Sequence, residues 1–195
     1  FLDWPTRYTP AAKAGVHGLL ILSMRACADL AKWYGDEKEI KYRALADSMA
    51  KHCPDCGSAK QAIAMQTLAG LREKTSTAKE LTDDGAKGMS TFMSYYILKA
   101  VASFDKEKAV EMMKEYYGGM LSVGATTFWE DFDLSWLENA GRIDEMPAAD
   151  KKDIHGDYGR FCYTQFRHSL CHGWSAGVLA FIIEYIFGIR IEGTN

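Results

Sequence analysis

The sequence predicts an all-α chain built as a partial toroid of inner and outer helices. Three observations carry this. Apolar residues recur at helical rather than alternating spacing through most of the chain. Broadly apolar helical stretches alternate with one-faced ones; the former must be covered on several sides, the latter lie outside with one side wet. The 195 residues include 4 prolines but 17 glycines, a balance that suits helices separated by glycine-bearing loops. Inner and outer helices in alternation mark an α/α toroid or a stack of helical hairpins. About seven helices are legible where a closed ring of six hairpins needs about twelve, so the ring is incomplete. Periodicity alone also fits an irregular helical bundle.

The first helix spans about Ala11 to Tyr34. Val16, Leu19, Leu20, Leu22, Ala26, Cys27, Leu30 and Ala31 cover much of its circumference, and Gly35-Asp36 stops it. The second runs from Asp36, a suitable N-cap, to His52, with a narrow stripe of Ile40, Ala44, Leu45, Ser48 and Met49. The third, Ser58 to Leu71, is again broadly apolar through Ala62, Ile63, Met65, Leu68 and Ala69. A short helix follows at Thr77 to Leu81. The next, Gly88 to Phe104, carries Met89, Phe92, Met93, Tyr96, Ile97, Ala100 and Val101. Asp105 caps an amphipathic helix to Tyr117, which Gly118-Gly119 ends. The last helix runs from Ser169, its N-cap, to Phe187, with Gly188 as C-cap. The alternation of Ile189-Arg190-Ile191 permits a short C-terminal strand.

Apolar residues at 48% and charged residues at 25% are the ordinary globular balance, which excludes a disordered tail, a collagen-like rod and a low-complexity linker. The length suits a single helical domain over residues 1–195. A net charge of −3 leaves no basic face for nucleic acid. The apolar runs are short and broken by Lys or Arg, Arg25 and Lys32 in the first, so no membrane partner is expected. No signal peptide is legible, and a start at Phe1 rather than Met suggests a cut from a longer protein.

The five cysteines, Cys27, Cys53, Cys56, Cys162 and Cys171, argue by their odd number against a full disulfide framework. Cys53-Pro54-Asp55-Cys56 is one C-x-x-C, and a structural zinc site needs four ligands. Cys162, His168, Cys171 and His172 would have to complete it. The pair reads better as thiols on a rim loop, and neither metal nor cofactor is expected.

In a stack of this kind every outer-to-inner connection emerges at one end. Those connections hold Asp3-Trp4, His52 to Gly57, Asp83 to Lys87, and Met120 to Arg167. The last is far longer than a connector needs. It is rich in aromatics (Phe128, Trp129, Phe132, Trp136, Tyr158, Phe161, Tyr163, Phe166), a composition that folds against something. Within it, Gly124 to Phe132 sets Glu130 among Phe128, Trp129 and Phe132. Shielding from water raises a carboxyl's pKa and suits proton transfer. The same run also suits a surface Glu beside core aromatics. In Arg167 to Gly177, Ser169 as N-cap would put His172 in the first helical turn, facing the loop rim, or would make it a capping or core histidine. A G-x-S-x-G elbow, a G-x-G-x-x-G fingerprint and a Walker pattern are all absent from the sequence.

Asp3-Trp4, the G-A-T-T-F-W-E of Gly124 to Glu130, and the S-L-C-H-G-W of Ser169 to Trp174 followed by Ser175-Ala176-Gly177 resemble, in order, the C-terminal half of the catalytic domain of bacterial α-L-rhamnosidases. These are inverting glycosidases of the six-hairpin (α/α)6 toroid class. The resemblance spans nearly the whole chain. It implies hydrolysis of terminal α-L-rhamnosyl residues from glycans or glycosides, with Glu130 as general base. It makes His172 a sugar-binding residue and Asp3-Trp4 the aromatic rim of the rhamnose pocket. Trp4, Trp129 and Trp174 would stack on the sugar's apolar face, and His172 would bond ring hydroxyls.

The family's general acid lies in an acidic motif on an earlier loop, which has no convincing counterpart in this chain. The missing N-terminal half of the same domain is then the implied partner, beside a carbohydrate substrate, and the isolated chain should turn over little. The insertion around Asp144 to Asp157 is longer than the resemblance leads one to expect, so loop-borne specificity residues do not transfer. A glycan-degrading role favours a periplasmic or secreted protein over a cytoplasmic one. Another six-hairpin enzyme acting on uronic or other deoxy sugars, and a non-catalytic sugar-binding helical remnant, are the alternatives.

Overall fold

A computed structural model describes residues 8–146, 153 and 169–189. Among them every regular element is helical and no strand forms. The all-α expectation therefore holds. The chain divides into two compact units, Phe1–Asp83 and Asp84–Asn195.

In the first unit, α1 (Pro10–Trp33) starts where the Thr9 hydroxyl accepts the Ala12 N–H at 3.1 Å, with Pro10 in the first turn. It packs on α2 (Lys38–Met49) and α3 (Lys60–Leu68), and α3 packs on α4 (Lys74–Thr82). The crossing of α1 and α3 is close enough to need Gly18. A Cβ there would stand 3.0 Å from the backbone carbonyl of Met65. Ile21, Ala46 and Ala69 are the buried centre, with Leu22, Met24, Met49 and Leu71 packed round it. Arg25 donates to the Ala69 carbonyl at 2.8 Å, closing one of the carbonyls a helix end leaves open.

Burial alternates as the sequence suggests, with local differences. Seven of the nine residues of α3 are buried but only two of α4; seven residues of α1 are buried but only Ala46 of α2. The predicted stripe of α2 is not its buried face, since Ile40 is 76% exposed. Nor is α1 covered all round, for Leu20, Leu30 and Trp33 are exposed. By length and composition alone α1 could cross a membrane, with a mean hydropathy of 1.3 over an 18-residue window. Two of its charges are engaged within the unit, Arg25 on Ala69 and Asp29 with Arg43 at 2.9 Å.

In the second unit, α5 (Ser94–Ala102) begins later than predicted. Gly88, at φ +77, cannot open a helix, and the Thr91 hydroxyl is engaged elsewhere. Then α6 (Lys106–Ser122) starts on Asp105, whose carboxylate accepts the Lys108 N–H at 2.9 Å as expected. It buries Ala109, Met112, Tyr116 and Met120 at spacings of three and four. Gly118-Gly119 does not end it, contrary to the sequence reading. Gly119 instead lets the next segment approach, because a Cβ there would meet Leu134 at 2.8 Å. The stop comes at Gly124, with φ +90. A 3-10 turn, Leu134–Glu138, follows, capped by Asp133.

The terminal helix is composite: a 3-10 turn, Gly173–Ala176; α7, Gly177–Phe181; and a π turn, Ile182–Ile186. Ser169 is not its N-cap and His172 is not in its first turn. His172 itself is the N-cap residue, extended at φ −125 and ψ 119. At the far end Gly188, at φ +71, caps as predicted, with the Ile189 N–H returning to Ile183 at 3.0 Å. The expected strand at Ile189 to Ile191 falls mostly outside the described residues, and Ile189 belongs to no element.

Candidate functional site

The segment Thr127 to Phe132 carries the candidate base, and its backbone is tied at Phe128, Trp129, Glu130 and Phe132. The Glu130 N–H donates to Ser169 O at 2.8 Å and the His172 N–H to Phe128 O at 2.7 Å. The Thr127 hydroxyl donates to Leu170 O. The two stretches lie as an irregular antiparallel pair. In a regular ladder Glu130 and Ser169 would exchange both backbone bonds. Here the Ser169 N–H goes to Glu130 Oε2 instead, at 2.7 Å. The Glu130 carbonyl, released from the ladder, accepts the Trp174 indole N–H at 2.8 Å and the Thr91 hydroxyl.

Behind this pair lies a buried set of hydroxyls. Ser175 donates to the Trp129 carbonyl. Ser94 donates to Thr91 O at 2.8 Å and lies 2.7 Å from the Tyr117 hydroxyl, which also lies 3.3 Å from Ser175 O. Thr91, Ser94 and Ser175 are all buried. Burial pushes the Tyr117 phenol up to about 12, the Ser94 contact opposing it. Tyr116, buried and likewise held well above the usual phenol range by burial, donates to Phe132 O at 2.6 Å. Thus Thr91, just ahead of α5, Tyr116 of α6, and Trp174 and Ser175 of the terminal helix bond the carbonyls of Trp129, Glu130 and Phe132. Hydroxyls three residues apart on predicted helices were the only sequence trace of this network, and periodicity does not tell a tethering hydroxyl from an incidental one.

The Glu130 carboxylate stands 3.9 Å from His172 Nδ1, with the two side chains 27% and 33% exposed. Water therefore reaches both. Trp174, 39% exposed, lies with its ring centroid 4.7 Å from that of His172. Three predicted site residues, Glu130, His172 and Trp174, thus come together from positions 42 to 44 apart in the chain.

Trp129 does not join them. It is wholly buried, packed edge-on to Phe132, so no face remains to stack on a sugar. Phe132 and Trp136 are buried with it, and the aromatics flanking Glu130 build core more than they shield the carboxyl. Asp3 and Trp4 lie outside the described residues, as do Tyr158, Phe161, Tyr163 and Phe166.

The C-x-x-C loop is of another kind. Cys56 is buried, donates to Gln66 Oε1 at 3.2 Å and receives Arg72 at 3.6 Å, while Cys53 is exposed. Burial pushes the Cys56 thiol up against the opposing pull of Arg72, which disfavours the thiolate a metal needs. Cys162 and His168 lie outside the described residues; among those described, no group of His, Cys, Asp and Glu could hold a metal ion.

Comparison of the chain with protein-family models, with curated proteins and with solved structures finds no match.

Proposed function

We propose that the chain is the C-terminal part of the (α/α)6 catalytic domain of an inverting, α-L-rhamnosidase-like glycoside hydrolase. Glu130 is its general base, and His172 and Trp174 are sugar contacts. The observation that carries this reading is the convergence of a carboxylate, an imidazole and an indole, all partly exposed, beside a peptide whose carbonyl is held by Thr91 and Trp174. An inverting enzyme needs a carboxylate that draws a proton from water while a second carboxyl, about 6.5–9.5 Å away, protonates the leaving oxygen.

Glu130 suits the first task. Its Oε2 is oriented by the Ser169 N–H, and its exposure admits water. Orientation by fixed donors lowers the reorganisation needed in the transition state. An indole face next to a hydrogen-bonding imidazole matches a sugar's apolar face and ring hydroxyls. The reading assigns the proton donor, and the Asp3-Trp4 rim, to segments other than those that build this cluster. The donor comes from the N-terminal half of the same domain in a longer protein.

The test is hydrolysis of an aryl α-L-rhamnoside by the intact protein, with the anomer of the released sugar followed by NMR. Glu130→Gln keeps the acceptor for Ser169 and removes the base, so the rate should fall ~10²–10⁴-fold with sugar binding largely kept. Equal turnover by both proteins refutes Glu130 as the base. Cleavage of a different glycoside keeps the hydrolase reading and replaces the rhamnoside.

A further inference from the structure

The 24-residue helix α1 carries two apolar seams. One holds Ala14, Gly18, Ile21 and Ala28 and is buried in the first unit. The other turns away from it. Val16, Leu19, Ser23, Ala26, Leu30 and Trp33 recur at alternating steps of three and four, the a and d positions of a heptad. Leu20, Cys27 and Tyr34 flank them along one side, seven residues apart. None of these positions is charged, while Arg25, Asp29 and Lys32 fall on the other faces of the helix. Ser23, Ala26, Leu30 and Trp33 are exposed, Trp33 by 62%, and Val16 and Leu19 are half-buried. The Ser23 hydroxyl donates to the Leu19 carbonyl of its own helix at 2.9 Å, so the one polar side chain of the heptad is satisfied without a partner or water. A charge-free heptad about 26 Å long on the outside of a folded unit has the pattern of a helix-pairing surface.

The residues of the seam choose the partner. Laid antiparallel against itself, with the two-fold axis midway between Ser23 and Ala26, every a residue of one copy meets a d residue of the other. Leu19 meets Leu30, Ser23 meets Ala26, and Val16 meets Trp33. The small pair at the centre lets the backbones approach, leucines fill the next layers, and the largest side chain falls opposite the shorter Val16. Charge agrees with shape. Exposed Lys13, just before the seam, comes beside exposed Glu37, just after it, on the other copy. A parallel pair in register would set Trp33 on Trp33, Lys13 on Lys13 and Glu37 on Glu37.

We infer that the outer seam of α1 binds a second copy of this chain, antiparallel, in a two-fold dimer. The surface is self-complementary, as an interface on a two-fold axis has to be. This does not rest on the rhamnoside reading. One helical seam lies at the small end of specific interfaces, so the dimer dissociates at roughly micromolar concentration.

Sedimentation velocity of the full chain from about 1 to 100 µM tests this. The native chain should pass from monomer to dimer across that range. Leu30→Lys, at a site already exposed in the single chain, should weaken the dimer at least about tenfold while helical circular dichroism stays as it was. Lys13→Glu should weaken it ~2–5-fold, and Lys13→Glu combined with Glu37→Lys should restore it, because opposite ends of the two copies meet. A chain that stays monomeric at every concentration overturns the inference. If that monomer also floats with phosphatidylcholine vesicles, the seam belongs to a lipid surface instead. A dimer that Leu30→Lys leaves intact overturns it too, by placing the interface elsewhere. Loss of the dimer in Leu30→Lys with no rescue by the charge exchange overturns the antiparallel arrangement.

Discussion

Two loops, each following a one-faced helix, handle their polar groups in opposite ways. In the Cys53–Gly57 loop the conspicuous side chain turns inward: Cys56 is buried against Gln66 and Arg72, and Gln66 also donates to Pro54 O at 2.6 Å. In the Gly124–Phe132 segment it is the backbone that is tied, through Phe128, Trp129, Glu130 and Phe132, while the Glu130 side chain remains open to water. A thiol whose bonds are all made within the protein is structural. On the proposed reading, a carboxylate on a peptide held by Thr91 and Trp174 is pre-organised for a ligand. Sequence ranks the two loops the same way, since a single C-x-x-C falls short of the four ligands a structural zinc needs.

The contrast breaks first at Trp129. If the Gly124–Phe132 segment is held by its core side, Trp129→Ala should cost about 3–5 kcal/mol, seen as a lower urea midpoint. Unchanged stability with lost affinity for the proposed sugar would return Trp129 to a sugar-facing role.

A smaller effect comes from Tyr117. Its folded value of about 12 lies above the unfolded value of about 10. The unfolded chain therefore ionises first. The contribution is whole below pH 10 and is lost as the pH rises through 12, amounting to about 2–3 kcal/mol. Denaturant midpoints across that window should fall less steeply in Tyr117→Phe than in the native protein. Parallel falls would remove Tyr117 from the network behind Glu130.

The smallest effect sharpens the other loop. A thiol reagent at pH 8 should label exposed Cys53 and Cys171 quickly and Cys56 only on unfolding, because burial both covers that thiol and raises its pKa. Equal labelling by mass spectrometry would show the loop to be open.

Local pattern determined a good deal. Helix period placed α1, α2, α3, α4 and α6 to within a few residues at their starts, because apolar spacing along one helix is a property of neighbours in sequence. Asp105 and Gly188 were legible as caps for the same reason: a cap acts within one turn. Glu130, His172 and Trp174 were legible as candidates through motif resemblance, which records residues without their geometry.

Tertiary structure decided what neighbours cannot. Trp129 went into the core and Trp174 to the surface, although both are tryptophans beside candidate polar residues. Ser175 and Thr91, more than 35 residues from the peptide they hold, settle which way it faces. The terminal helix begins at Gly173 rather than Ser169 because the backbone of Ser169 to His172 is already bonded to residues 128–130. And Gly119, inside α6, leaves the space that Leu134, folding back, fills. Each of these rests on a contact between residues distant in sequence, and hydrophobic period carries no information about such contacts.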